Sequence, residues 1–126
     1  MVSAYAGIPV THRGVTHEFT VVSGHLPPGD PGALVNYEAL GRMRGTIVVM
    51  MGVQNAPAIA SALVAAGQAA DRPVAVVCDG TMPTQRTVLA TLGTLADRLV
   101  EEDVKPPAII VIGEVVAVAH PEAFGG

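Results

Sequence analysis

The chain has 126 residues, half of them apolar, a formal net charge of −4, two Phe, two Tyr and no Trp, which suffices for one domain whose core is built from Val, Ala, Ile and Leu. The seven Lys and Arg are scattered and no aromatics interleave with them, which speaks against a nucleic-acid surface. The single cysteine, Cys78, excludes an internal disulfide and any multi-cysteine zinc site and fits a reducing cytoplasm, and no uninterrupted apolar stretch reaches the ~18 residues of a membrane span.

Taken in order, the opening MVSAYAGIPVTHRG lacks the apolar core of a signal peptide and reads as an irregular entry. Glu18 to Val22 is a short β-branched run that predicts a strand. Gly24 to Gly32 holds three prolines and three glycines, a composition that forbids regular structure and predicts a surface loop. Leu34, Tyr37 and Leu40 fall at near-helical spacing, which predicts a short helix within Ala33 to Met43. Ile47 to Met51 is a continuous apolar run, as expected of a strand covered on both faces, and Gly52 ends it. Asn55 is placed to cap a helix that runs to Ala66 and stops at Gly67, with Ile59, Leu63 and Val64 as its packing stripe.

Pro73 to Cys78 predicts a second buried strand, followed by Asp79-Gly80-Thr81, and Gln85 to Val88 an edge strand. A helix from Leu89 to Glu102 would carry Leu92, Leu95, Leu99 and Val100 on one face. Pro106 and Pro107 introduce a third strong strand, Ala108 to Ile112, and the remainder predicts a short helix and a frayed end. Strands alternating with helices make an α/β fold, a mixed sheet flanked by helices. The mean hydropathy of +0.48 admits two sources: a buried Val-rich sheet, or apolar surface that meets a partner lobe or subunit.

Residues with chemical potential are few. Four His occur, His12, His17, His25 and His120, without an HExxH or paired-Cys pattern, so no metal site is expected. No Ser-His-Asp set or phosphate loop is recognisable, and no catalytic residue is assigned. Met51 is either core filler or, at the end of a buried strand, a main-chain donor and acceptor facing a crevice. Gly80 and Thr81 form either an ordinary strand-ending turn or a close backbone approach to a flat ring. Arg13, beside His12, is either a loop anchor or a fork for carboxylates. Cys78 reads as a small buried side chain, since no neighbouring His activates it.

Several segments, in order, resemble one enzyme family. AYAGIPVTHRG (Ala4 to Gly14) resembles the family's GIPLTHR stretch, and Val22-Ser23-Gly24-His25 its TGH element. Val49 to Gly52 is similar to its YMG turn, and Pro73 to Thr81 to its PVA…GT stretch. Thr84-Gln85-Arg86 resembles TQR, and Pro107 to Val115 the closing strand. The ordered set points to uroporphyrinogen-III C-methyltransferase, a class III tetrapyrrole methylase, and covers nearly the whole chain. The resemblance implies the carboxy-terminal lobe of the two-lobed fold, with S-adenosyl-L-methionine in the cleft between lobes and S-adenosyl-L-homocysteine as product. It implies that Met51, Gly80 and Thr81 contact the cofactor and that His12 and Arg13 are candidates to face the tetrapyrrole. It further implies homodimerisation and an amino-terminal lobe bearing a GGD loop and the acid/base residues; no GGD occurs here. A second reading keeps the chain as a degenerate lobe serving assembly, and a third as a methylase of another precorrin.

Overall fold

The computed structural model describes residues 19–32, 34–78 and 86–124. Five strands form one mixed sheet: β1 (Phe19–Ser23), β2 (Thr46–Met50), β3 (Pro73–Cys78), β4 (Arg86–Thr91) and β5 (Ala108–Ile112). The helices are α1 (Tyr37–Leu40), α2 (Ala56–Ala66), α3 (Leu95–Glu101) and α4 (Glu114–Ala119), followed by a 3-10 turn at Pro121–Ala123. The sheet order is β1-β2-β5-β3-β4. β1 runs parallel to β2, whereas β5 lies antiparallel to both β2 and β3. Hence β1, β2 and β3 point the same way, and their carboxyl ends gather at one edge beside the amino ends of β4 and β5.

The first two strands predicted to be buried are so. β3 is buried throughout and β2 everywhere except Met50, as continuous apolar runs require when both sheet faces are covered. The larger core lies on one face. There Ile47, Val49, Val74, Val76, Ile110 and Ile112 meet Tyr37 and Leu40 of α1, Ile59 and Leu63 of α2, and Leu95 and Leu99 of α3. On the other face Ala75 and Val111 pack against Val115 and Val116 of α4.

Three elements differ by more than one residue from the sequence-based expectation. β4 runs on to Thr91, because it pairs with the whole of β3, from Pro73 opposite Thr91 to Cys78 opposite Arg86. The helix predicted from Leu89 therefore begins only at Leu95, after Thr94 Oγ1 accepts from the Thr91 N–H at 2.9 Å. Val100, expected on its packing face, is 82% exposed. The helix predicted within Ala33 to Met43 is a single turn, capped where Asn36 Oδ1 accepts from the Ala39 N–H at 2.9 Å, and Leu34 lies outside it, almost fully exposed. On α2 the buried stripe is Ala56, Ile59, Ala60 and Leu63; Val64, expected in that stripe, is exposed. Gly67 does end α2, at φ 131°, a conformation that suits glycine. Among the described residues, no helix is long and apolar enough to cross a membrane.

Candidate functional site

The gathered strand ends surround a hollow of about 630 Å³. Met50, Met51, Val53 and Gln54 form one wall, and His25 from the loop after β1 stands beside them. Val77 of β3 together with Ala108 and Ile109 of β5 line it from the sheet, and Pro106 and Pro107 form its rim. Ligands of open α/β sheets bind in such crevices beyond the carboxyl ends of strands, and the volume falls within the usual range for small-molecule sites.

The local sequence explains why the walls stand where they do. β2 ends at Met50, and Met51 takes φ 56°. A left-handed conformation costs a non-glycine residue about 1–2 kcal/mol, and such strain is tolerated where the surroundings impose it. It turns the chain out of the sheet and leaves Met51 66% exposed at the hollow. The next residue, Gly52, lies against Gly24: a Cβ on Gly24 would stand 2.6 Å from Gly52 Cα and 2.9 Å from both Ile59 Cδ1 and Val49 Cγ1. Only two bare backbones can meet so closely. The Gly24 N–H donates to Met50 O at 2.7 Å, and the Asn55 side-chain amide donates to Gly24 O at 2.8 Å and His25 O at 3.1 Å. The loop after β1 is thus stitched to the turn after β2.

The lining is largely apolar, suited to a flat ring system. Among the described lining residues His25 alone is titratable; the rest offer aliphatic surface, two proline rings, a Gln side chain and main chain. Among the described residues there is no cluster of three His, Cys, Asp or Glu that could hold a metal ion.

Of the residues singled out from sequence, Met51 lines the hollow. Gly80 and Thr81 lie outside the described residues, as do His12, Arg13, Thr84 and Gln85. β3 nevertheless delivers Val77 to the same hollow three residues before Gly80. β2 and β3 are separated by β5, so the two strand ends face one crevice across the start of that strand. Arg86 opens β4 and turns away to α3, where its guanidinium donates to the Glu102 main-chain carbonyl and pairs with the Glu102 carboxylate at 3.6 Å. It ties β4 to the end of α3. Sequence reasoning missed Gln54, Pro106 and Pro107 as lining residues. The prolines carried a signal, since they immediately precede β5, but it becomes legible only once β5 is known to lie between β2 and β3.

The model of the Tetrapyrrole (Corrin/Porphyrin) Methylases matches residues 1–96. The chain belongs to this family. Among tetrapyrrole methylases it is 44% identical, over 115 residues, to the S-adenosyl-L-methionine-dependent uroporphyrinogen III methyltransferase of Methanosarcina barkeri, covering 91% of this chain and 45% of that protein. It is 42% identical over 115 residues to a siroheme synthase of Thiobacillus denitrificans, covering 91% of this chain and 24% of that protein. The uroporphyrin-III C-methyl transferase of Thermus thermophilus, solved with S-adenyl homocysteine, superposes with a TM-score of 0.77 at 38% identity, over 93% of this chain and 48% of that one. The fold expected from the resemblance, a mixed sheet flanked by helices as in tetrapyrrole methylases, is the one found. The chain spans about half the length of the methyltransferases it matches, or less in the siroheme synthase.

Proposed function

We propose that this chain is the carboxy-terminal lobe of an S-adenosylmethionine-dependent uroporphyrinogen-III C-methyltransferase, forming one wall of its cofactor cleft. The observation that carries this reading is the shared hollow: Met51 beyond β2 and Val77 near the end of β3 line one apolar crevice. Relatives named for this activity, and one of them solved with S-adenyl homocysteine, support it.

The residues present suit an adenosine. A largely apolar hollow accepts the ring, while main chain at strand ends offers hydrogen bonds to its edge without needing a particular side chain. In this reading the Met51 main chain meets the adenine, and Gly80 and Thr81 approach from the side of β3. When bound, S-adenosylmethionine supplies the methyl group. This lobe holds the nucleoside and fixes its direction, since aligning methyl, sulfur and carbon is much of what the reaction asks of the protein. His12 and Arg13 are assigned to the carboxylate-rich tetrapyrrole, where a guanidinium fork gives bidentate contacts. An amino-terminal lobe completes the cleft and brings the acid/base residues, the assembly is a homodimer, and it works in the cytoplasm on the way to precorrin-2.

Two measurements test this. Titration with S-adenosylhomocysteine is expected to shift the amide resonances of Met51 and His25 with weak affinity, because half of the contacts are absent; a chain whose spectrum is unmoved at millimolar ligand overturns the reading. Incubation with S-adenosylmethionine and uroporphyrinogen III is expected to give no precorrin-2 from the chain alone, and to give it once an amino-terminal lobe bearing the GGD loop is added.

A further inference from the structure

Asn55 stands at the cap position of α2, where the sequence predicts a helix cap. Its side chain makes no cap bond. A missing Asn cap forgoes about 1 kcal/mol of helix stability, so the amide's alternative use is informative. It reaches 31 and 30 positions back along the chain, to the carbonyls of Gly24 and His25. The main chain of Asn55 is committed as well: its N–H donates to Gly52 O at 3.1 Å, and its carbonyl accepts from the Ile59 N–H at 2.9 Å. One residue therefore joins the turn that follows Met51, the first turn of α2 and the loop that carries His25.

The requirement is specific. Two carbonyls are held, so the side chain must offer two N–H donors, and Asn has them where Asp has none. The loop must also come close enough to be held, which is why neither Gly24 nor Gly52 has room for a Cβ: one on Gly52 would stand 2.5 Å from Val49 Cγ1. The held segment leads straight into a run with prolines at 27, 28 and 31, and proline has no N–H to anchor itself by.

We propose that Asn55 is a positioning residue of the crevice: by holding the Gly24 and His25 carbonyls it fixes where His25 stands beside the Met51 wall, and so the shape of that side of the slot. This rests on the reading of that slot as the nucleoside site. The substitution Asn55→Asp keeps the shape, removes both donors and sets a carboxylate against two carbonyl oxygens, so the loop beyond the Gly24 N–H to Met50 O bond is loosened while α2 keeps its packing face.

The test uses the whole 126-residue chain and S-adenosylhomocysteine as probe, with Gln68→Ala as a variant that weakens the fold at the far end of the sheet. Asn55→Asp is expected to move or broaden the ligand-free resonances of Gly24 and His25, to leave those of β3 and β5 in place, and to weaken binding about tenfold, the loss of one good interaction. Gln68→Ala is expected to lower the melting temperature and leave affinity within about twofold. Wild-type affinity in Asn55→Asp, or a loss of affinity in Gln68→Ala that tracks its loss of stability, overturns the proposal. If the wild-type chain binds no nucleoside, the function proposed above fails instead. The ligand-free spectra still decide the role of Asn55, and unchanged Gly24 and His25 resonances would end it.

Discussion

The two ends of β2 and β3 solve opposite problems. At their amino ends the chain is bonded shut. Gln68 is 5% exposed, and its amide donates to Leu40 O and Met43 O, both at 2.8 Å. Its carbonyl accepts from Arg72 Nη1 at 2.8 Å, while Arg72 Nη2 donates to Arg44 O at 2.7 Å and Gly45 O at 2.9 Å. Burial lowers the pKa of Arg72, and Glu114 opposes that shift. At the carboxyl ends, among the described residues, the comparable side-chain tie is that of Asn55 to the loop after β1. Main chain, apolar side chains and two prolines gather around a hollow. Where polar side chains find the loop carbonyls, the fold closes. Where the local groups are aliphatic or lack an N–H, space is left for something else to fill.

That contrast can be broken from either side. The largest effect is expected from Gly24→Val at the open end. Its Cβ would meet Gly52 Cα at 2.6 Å, and overpacking against backbone costs about 3 kcal/mol; chemical denaturation should show the loss, and nucleoside binding should go with it. Next comes Gln68→Leu at the closed end. It removes three hydrogen bonds, to the Leu40 and Met43 carbonyls and from Arg72 Nη1, at about 2–3 kcal/mol in all, but should leave binding unchanged once folded protein is compared with folded protein. Equal damage to binding from both variants would mean that the two ends are not independent. The smallest effect sharpens the picture: Met51→Gly relieves the left-handed strain of about 1–2 kcal/mol against a backbone-entropy cost of about 0.5–1 kcal/mol. A slightly raised unfolding midpoint is expected, with binding retained if main chain is what reads the ligand. Lost binding would assign the task to the methionine side chain.

Much of this was legible in the residues, for identifiable reasons. β2, β3 and β5 were placed within a residue or so because unbroken Val/Ile runs have few alternatives to a doubly covered strand. The end of β4 was misread because Leu89, Leu92, Leu95 and Leu99 keep a spacing compatible with a helix, and only the ladder to Pro73–Cys78 reveals that Leu89 belongs to a strand. Sheet order was hidden altogether, since no periodicity says that β5 inserts between β2 and β3. For the site, the Met51-Gly52 turn stood out at the end of a buried strand, and the family motifs drew attention to His25. The second role of Asn55 was invisible: a residue ahead of an apolar stripe is read as a cap, and its bonds to Gly24 and His25 depend on a loop folded back from a distant part of the chain.

The placement of β5 bears on how the molecule is assembled during synthesis. It is the last described strand to leave the ribosome, yet it occupies the middle of the sheet. Until residues 108–112 emerge, β1–β2 and β3–β4 share no ladder, and each is a two-stranded piece of the kind that is marginal in water. Their apolar flanks must wait, open to mispairing with other chains. Completion is a single late insertion that welds two halves into one sheet. A nascent chain stalled before Ala108 should therefore be a ready substrate for chaperones.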